Sequence, residues 1–339
     1  MRRPGLVVAL LAITCVVPSR ASQLPEPQPQ DAVEFMVAAA GRYPVVELGR
    51  TEGTGNANEV DLIAHLFANR RFTANIDDVI IEACNSRYQG MLDRYVSGKY
   101  VPQQQLAVVW RKTTQITGGE ADPTTKMLID MVRNFNLKAP QHQLRVLAAD
   151  PPIDWNAIHT AAQFNAFLSQ RDAYAASVIE KQVLSKHRRV LVVMGGAHFT
   201  RRASPHYGAT ITMLLEPHYP GSTYVIYDIA DVSRFGARLR RTFASWSVLV
   251  IAPIAGTAVA LQSGRTITAG DVMRRVGSRW VAVTNAYPGY TLGRLFDAIL
   301  YLGPADKLRT IELKEPTDQP YATELKRVRS IVMGTPSPL

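Results

Sequence analysis

The side chains best suited to chemistry in this chain sit just past runs of apolar residues. His198 closes Gly195-Gly196-Ala197-His198, after Val190-Leu191-Val192-Val193-Met194. Glu82 follows Val79-Ile80-Ile81, with Asn85 and Tyr88 shortly after it. Asp150 follows Val146-Leu147-Ala148-Ala149 and precedes Pro151-Pro152. Arg50 and Glu52 lie in a glycine-rich stretch after Val45-Val46-Glu47-Leu48. A histidine so placed can serve as a base or a ligand near neutral pH. A carboxylate can serve as general base, metal ligand or orienting partner for His or Arg. Arg171, which opens a helical pattern with Asp172, can bind an anionic group or stabilise an oxyanion. Each residue also has a plain structural reading: a satisfied core histidine, a buried acid paired with an arginine, a turn stiffened by two prolines.

These residues are far apart in sequence, so shared elements must gather them. The runs at 44–48, 79–82, 145–149 and 190–194 are mostly apolar rather than alternating. That pattern fits a parallel sheet covered on both faces, and the segments between the runs are long enough for right-handed crossovers. The expected fold is α/β, a mostly parallel central sheet with helices on both faces and a helical insertion at about 86–143. Ligands of such sheets bind outside the strand carboxyl ends, where the candidates lie. Asp31 caps a helix running to Tyr43, and Leu62/Leu66 with Ile63/Phe67 mark another at 58–70. A third is expected at 171–186. Further strands are expected at 223–227, 248–254 and 298–302, while most of 234–293 shows no clear period.

Other motifs are weaker. Gly53 and Gly55 with Asn58 lack the third glycine of a dinucleotide fingerprint. Cys84, at one strand end, could meet His198 as a nucleophile, but a buried, inert thiol is the commoner case. There is no Gly-x-Ser-x-Gly elbow, His-Glu-x-x-His zinc helix or P-loop.

Met1-Arg2-Arg3, a short apolar stretch at 6–17 and Ser19-Arg20-Ala21 read as a signal peptide over 1–21. The chain is thus expected to be exported, periplasmic or secreted, with no transmembrane span after signal removal. A mobile Pro/Gln-rich spacer is expected at 22–30, a single domain at 31–333 and a frayed tail at 334–339. Losing Arg2, Arg3 and Arg20 with the signal lowers the net charge from +10 to +7. The arginines are scattered without companion aromatics, so a nucleic-acid partner is not expected. Their densest cluster, Arg234, Arg238, Arg240 and Arg241, is either a solvated helix face or a surface for anionic lipid, polymer or ligand. The mature chain keeps one cysteine, so stability must come from packing, for which 47% hydrophobic residues supply a large core.

Taken together, the motifs resemble the erythromycin-esterase, ChaN and TIKI/TraB-like superfamily, in particular its exported bacterial members. The likeness runs through Val46-Glu47-Leu48-Gly49-Arg50-Thr51-Glu52-Gly53-Thr54, Ile81-Glu82-Ala83-Cys84-Asn85 with Tyr88 and Asp93, and Val109-Trp110-Arg111-Lys112-Thr113-Thr114-Gln115. It continues through Asp150-Pro151-Pro152-Ile153-Asp154-Trp155, Arg171-Asp172, Gly195-Gly196-Ala197-His198 and Phe296-Asp297-Ala298-Ile299-Leu300-Tyr301-Leu302-Gly303-Pro304. The resemblance implies a site at the strand ends. Relatives include macrolide-opening esterases, metal-dependent proteases and haem-binding lipoproteins. They commonly carry Gly-Glu-x-His after the first strand. Here Arg50 replaces that glutamate and Glu52 that histidine, while the second family histidine is present as His198.

The expected function is therefore hydrolysis of an ester or amide in a small molecule or peptide. His198, Glu52, Glu82 and Arg171 would be catalytic, and Arg50, Asn85, Tyr88 and Asp150 would contact substrate. A divalent metal would sit on Glu52, Glu82 and His198. The alternatives are a haem- or small-ligand-binding protein with His198 or Tyr88 as axial ligand, a degenerate non-catalytic member, or an envelope protein that binds partners through its arginines.

Overall fold

The computed structural model describes residues 24–50, 57–115, 123–205, 208–229, 232–266, 273–276, 279–282, 287–309, 311 and 318–333. The 1–21 segment expected to be a signal, Glu52 and the 334–339 tail lie outside the described residues. Ten strands are present among those described: β1 Gln30–Asp31, β2 Val45–Arg50, β3 Asp78–Asn85, β4 Arg145–Asp150, β5 Val190–Gly195, β6 Thr223–Ile229, β7 Val250–Pro253, β8 Met273–Val276, β9 Arg279–Ala282 and β10 Ala298–Tyr301. Eight form one sheet in the order β1-β7-β10-β6-β2-β5-β3-β4, and β8 and β9 form a separate antiparallel pair. From β10 to β4 all neighbours are parallel, and the β7 and β1 pairings are antiparallel. The α/β class and the mostly parallel sheet are as the apolar runs imply.

Alternate residues of each strand feed two cores. Val46, Leu48, Val79, Ile81, Leu191 and Val193 pack beneath the helices Ala32–Arg42, Ala57–Ala68 and Pro123–Lys138. Val45, Ile80, Leu147, Val190, Val192 and Met194 pack beneath Arg171–Gln182, Ile211–Leu215 and Ala237–Ala244. The chain therefore leaves β2 and β3 toward one face, and β4, β5 and β6 toward the other. β5 lies between β2 and β3, so neighbouring connections diverge there and open a crevice above the strand ends.

Several elements differ from expectation. The Arg171 helix ends at Gln182, and a short 3-10 turn, Leu184–Lys186, leads to His187 in left-handed backbone. The 24–30 stretch is pinned rather than loose: Glu26 pairs with Arg238 at 2.6 Å, the Pro25 carbonyl accepts from Ala258, and Gln30 joins the sheet beside Ile251. Helices Ala161–Leu168 and Gln319–Met333, not foreseen, pack together around Trp155, Phe164, Val328 and Val332. Within the arginine cluster, Arg240 donates to the Ser233 and Phe235 carbonyls and Arg234 to that of Arg265.

β2 also buries an acid. Glu47 is fully enclosed, and its Oε2 lies 2.7 Å from the Thr212 hydroxyl, which is also 2.7 Å from the Phe199 carbonyl. The Thr212 hydroxyl has one hydrogen and so serves Glu47 or the Phe199 carbonyl, one at a time. Burial pushes the Glu47 pKa from 4.5 up to about 8, against the Thr212 hydrogen bond and Arg201. Because the folded value is raised, the acid's contribution to stability is intact below pH 4.5 and is lost as pH rises through 8. Glu47→Gln keeps a donor and cannot ionise. Its melting temperature relative to the parent should climb between pH 4.5 and 8, by the equivalent of a few kcal/mol, and then level off. A difference that stays flat with pH would show that Glu47 is already ionised.

Candidate active site

A register break sets the site. β3 pairs with β4 up to Ile81↔Ala148 and resumes at Asn85↔Asp150, so β3 carries two more residues than its partner. Pairing with β5 also stops at Ile81. A bulge re-aims the side chain it carries, and here that side chain is Glu82. Gly195, at the end of β5, donates its free N–H to Glu82 Oε2 at 2.7 Å. Oε1 accepts from Arg171 Nη2 at 2.6 Å and from Gln115 Nε2 at 2.5 Å.

His198 stands 3.4 Å from the same Oε1 through Nε2, and its Nδ1 bonds Asp172 Oδ1. It lies on the short turn Gly196–His198 after β5. That turn crosses β2 closely. A Cβ on Gly49 would fall 2.9 Å from Gly196 Cα, so glycine is required at 49. Asp172 and Arg171 share the first turn of one helix, which brings an acid to one side of the imidazole and a guanidinium to the far side of Glu82. The second Asp172 oxygen, Oδ2, is buried without a hydrogen-bond partner among the described residues. Asp150 completes the row, 3.7 Å from Arg171 Nε. Charges thus alternate along Asp172, His198, Glu82, Arg171 and Asp150.

This order explains the proton affinities. Burial alone would raise Glu82, but the His198 hydrogen bond and the Arg171 charge hold it well below the usual carboxylate range. Burial would lower His198, yet Asp172 and then Glu82 push it up to about 9. Asp150 rises to about 6 through burial, which Arg171 and Thr114 only partly oppose. His198 is 5% exposed, whereas the side chains of Glu82 and Arg171 keep 16% and 14% of their surface, which makes them the open edge of the row.

His198, Glu82, Arg171 and Asp150 are therefore gathered as the strand-end argument implies. Asp150 acts mainly as a clamp: it accepts from the Thr114 backbone at 2.8 Å and from its hydroxyl, which fixes the segment that presents Gln115. Asn85 is fully buried and donates to the Lys112 and Ile153 carbonyls, so its amide ties loops together instead of facing a ligand. Tyr88 packs half-buried against the first core. Arg50 pairs with Glu59 at 2.9 Å and with Thr124 at 3.0 Å, anchoring two helices to the end of β2. Cys84 is buried and its thiol is pushed up by burial, which suits an inert packing role. Asp172 and Gln115 were not singled out as site residues. Their signals were adjacency to Arg171 and to the Thr113-Thr114 pair.

The described residues do not make a metal site: no group of three or more His, Cys, Asp and Glu side chains among them could hold an ion. Arg171 occupies the Glu82 oxygen that faces His198. Haem ligation fits no better, because both His198 ring nitrogens face carboxylates.

Asp172→Asn should lower the His198 pKa from about 9 toward its ordinary 6.5, followed by imidazole C–H NMR. The stability that protonated His198 contributes, present below pH 6.5 and lost as pH rises through 9, should shrink with it. An unmoved titration would remove Asp172 as the group that charges the ring.

No family profile and no curated protein matches this chain. Solved structures do. A Bacillus cereus protein superposes with a TM-score of 0.53 at 11% identity, covering 88% of this chain and 100% of its own. A succinoglycan biosynthesis protein gives 0.54 at 10%, covering 87% and 97%. A variant of erythromycin esterase in its open conformation gives 0.52 at 11%, covering 84% and 95%. At these identities the likeness is one of fold: the chain has the erythromycin-esterase-like α/β architecture.

Proposed function

We propose that the chain is a hydrolase of esters or amides whose site is the Asp172–His198–Glu82–Arg171 row. The observation that carries this reading is the buried, carboxylate-flanked imidazole beside the partly exposed Arg171 guanidinium at the strand carboxyl ends. His198, charged at neutral pH, donates its Nε2 proton to the leaving oxygen or nitrogen. Asp172 fixes the ring and keeps it charged. Glu82 is too weak a base to activate water. It orients His198 and Arg171, and Arg171 meets the developing oxyanion or a substrate carboxylate. Water activation is assigned to Glu52. The fold shared with erythromycin esterase supports the same reading by analogy. Export through the 1–21 segment is part of the proposal, and a mature N-terminus near residue 22 on sequencing the exported product would bear it out. No helix among the described residues is long and apolar enough to cross a membrane.

The test is turnover of paired esters with good and poor leaving groups. His198→Ala should lower kcat by roughly 10²–10⁴-fold for an alkyl ester. It should lower kcat far less for a p-nitrophenyl ester, whose leaving group needs no proton. Activity of the parent should fall as pH rises through about 9, where His198 loses its proton. Activity that instead rises toward that pH would make His198 the base, and no turnover of any ester or amide would overturn the hydrolase reading. The mutual saturation of Glu82 and His198 favours one second reading, a non-catalytic ligand-binding member. That reading predicts ligand-induced thermal stabilisation without turnover.

A further inference from the structure

Away from the strand ends, a cleft of about 710 Å³ lies between helices Ala57–Ala68 and Pro123–Lys138. Its volume is in the range of small-molecule sites. Phe67 and Ala68 form one wall and Met131 and Phe135 the other. Met127, one turn before Met131, is exposed and extends the apolar track along the same helix. Methionine surfaces adapt to flexible apolar ligands. Arg70 and Lys138 stand at the end of the cleft where both helices finish. Among the described residues neither has a carboxylate partner, and no acid lines the cleft. The nearest acid on that helix, Asp130, is paired with Lys126 at 2.5 Å. His142 donates its Nε2 hydrogen to the Thr73 carbonyl at 2.8 Å, which leaves Arg70 and Lys138 as the cations offered to a ligand.

We infer that this cleft binds a single-chain carboxylate amphiphile of the fatty-acid class, the chain lying along Phe67, Met131 and Phe135 and the carboxylate meeting Arg70 and Lys138. A neutral apolar ligand would leave the two cations unused, and a cationic one would be repelled. The inference is independent of the proposed hydrolase chemistry, because no residue of the acid–histidine row touches the cleft.

The full-length chain would be titrated with dansyl-undecanoate and followed by fluorescence. The expected result is saturable, blue-shifted emission, displaced by dodecanoate but not by dodecyltrimethylammonium. Arg70→Glu with Lys138→Glu should weaken binding at least about tenfold. Ala68→Trp, which fills the cleft, should abolish it. The charge variant is confined to exposed side chains, so it remains informative if the tryptophan variant misfolds. Absence of saturable binding, equal displacement by the cation, or affinity unchanged in the charge variant would each overturn the inference.

Discussion

The upper end of this sheet depends on one carboxylate. Glu82 takes donors from the end of β5, the first turn of the Arg171 helix, the insertion through Gln115, and the turn that carries His198. The end of β5 with its His198 turn, the Arg171 helix and the insertion are distant from β3 in sequence. An ionised carboxylate accepts through two oxygens with about four lone-pair sites, so one residue can fasten all of them. The arrangement holds only while Glu82 stays charged. Burial works against that charge, and His198 and Arg171 outweigh it. Removing either cation would leave a buried charge uncompensated, a change that typically destabilises by about 3–5 kcal/mol.

Topology makes such a fastening possible. Connections from β3 and β5 leave toward opposite faces, so the sheet offers a crevice and not a covered edge above their ends. The bulge then turns Glu82 into it. Alternating charge along the row keeps neighbouring groups matched, at a known disadvantage: a buried ion pair is often no more stable than an apolar replacement of the same volume. Specific placement of His198 and Arg171 is the better account of why charges are used. The 6% exposure of the imidazole places it behind Glu82 and Arg171, the edge that a ligand would meet first.

Much of this was legible in the residues. Apolar runs gave the strands, since a strand buried on both faces needs no alternation, and Glu82, Asp150 and His198 follow from the strand ends, with Arg171 read from the start of a helix. What escaped depended on contacts between distant segments. Asn85 and Arg50 have the chemistry of ligand-binding groups, and only their partners, the Lys112 and Ile153 carbonyls and Glu59, show them to be struts. The 24–30 stretch has linker composition, yet Arg238 and the edge strand β7 hold it. The Gln319–Met333 helix has a weak apolar face because it covers a small satellite core around Trp155 and not the main sheet.

The end of β2 contributes Arg50, and its guanidinium is turned toward Glu59 and Thr124. Arg50 is the Cα partner of Gly195, so its backbone stands beside the row. His198 and Arg171 already hold Glu82 well below the usual carboxylate range, against the effect of its burial. The proton chemistry available to the described residues therefore rests on His198, whose affinity is set by Asp172 across the helix start. The acid–histidine row lies over β3, β4 and β5, and the turn that carries His198 packs closely on β2 at Gly49.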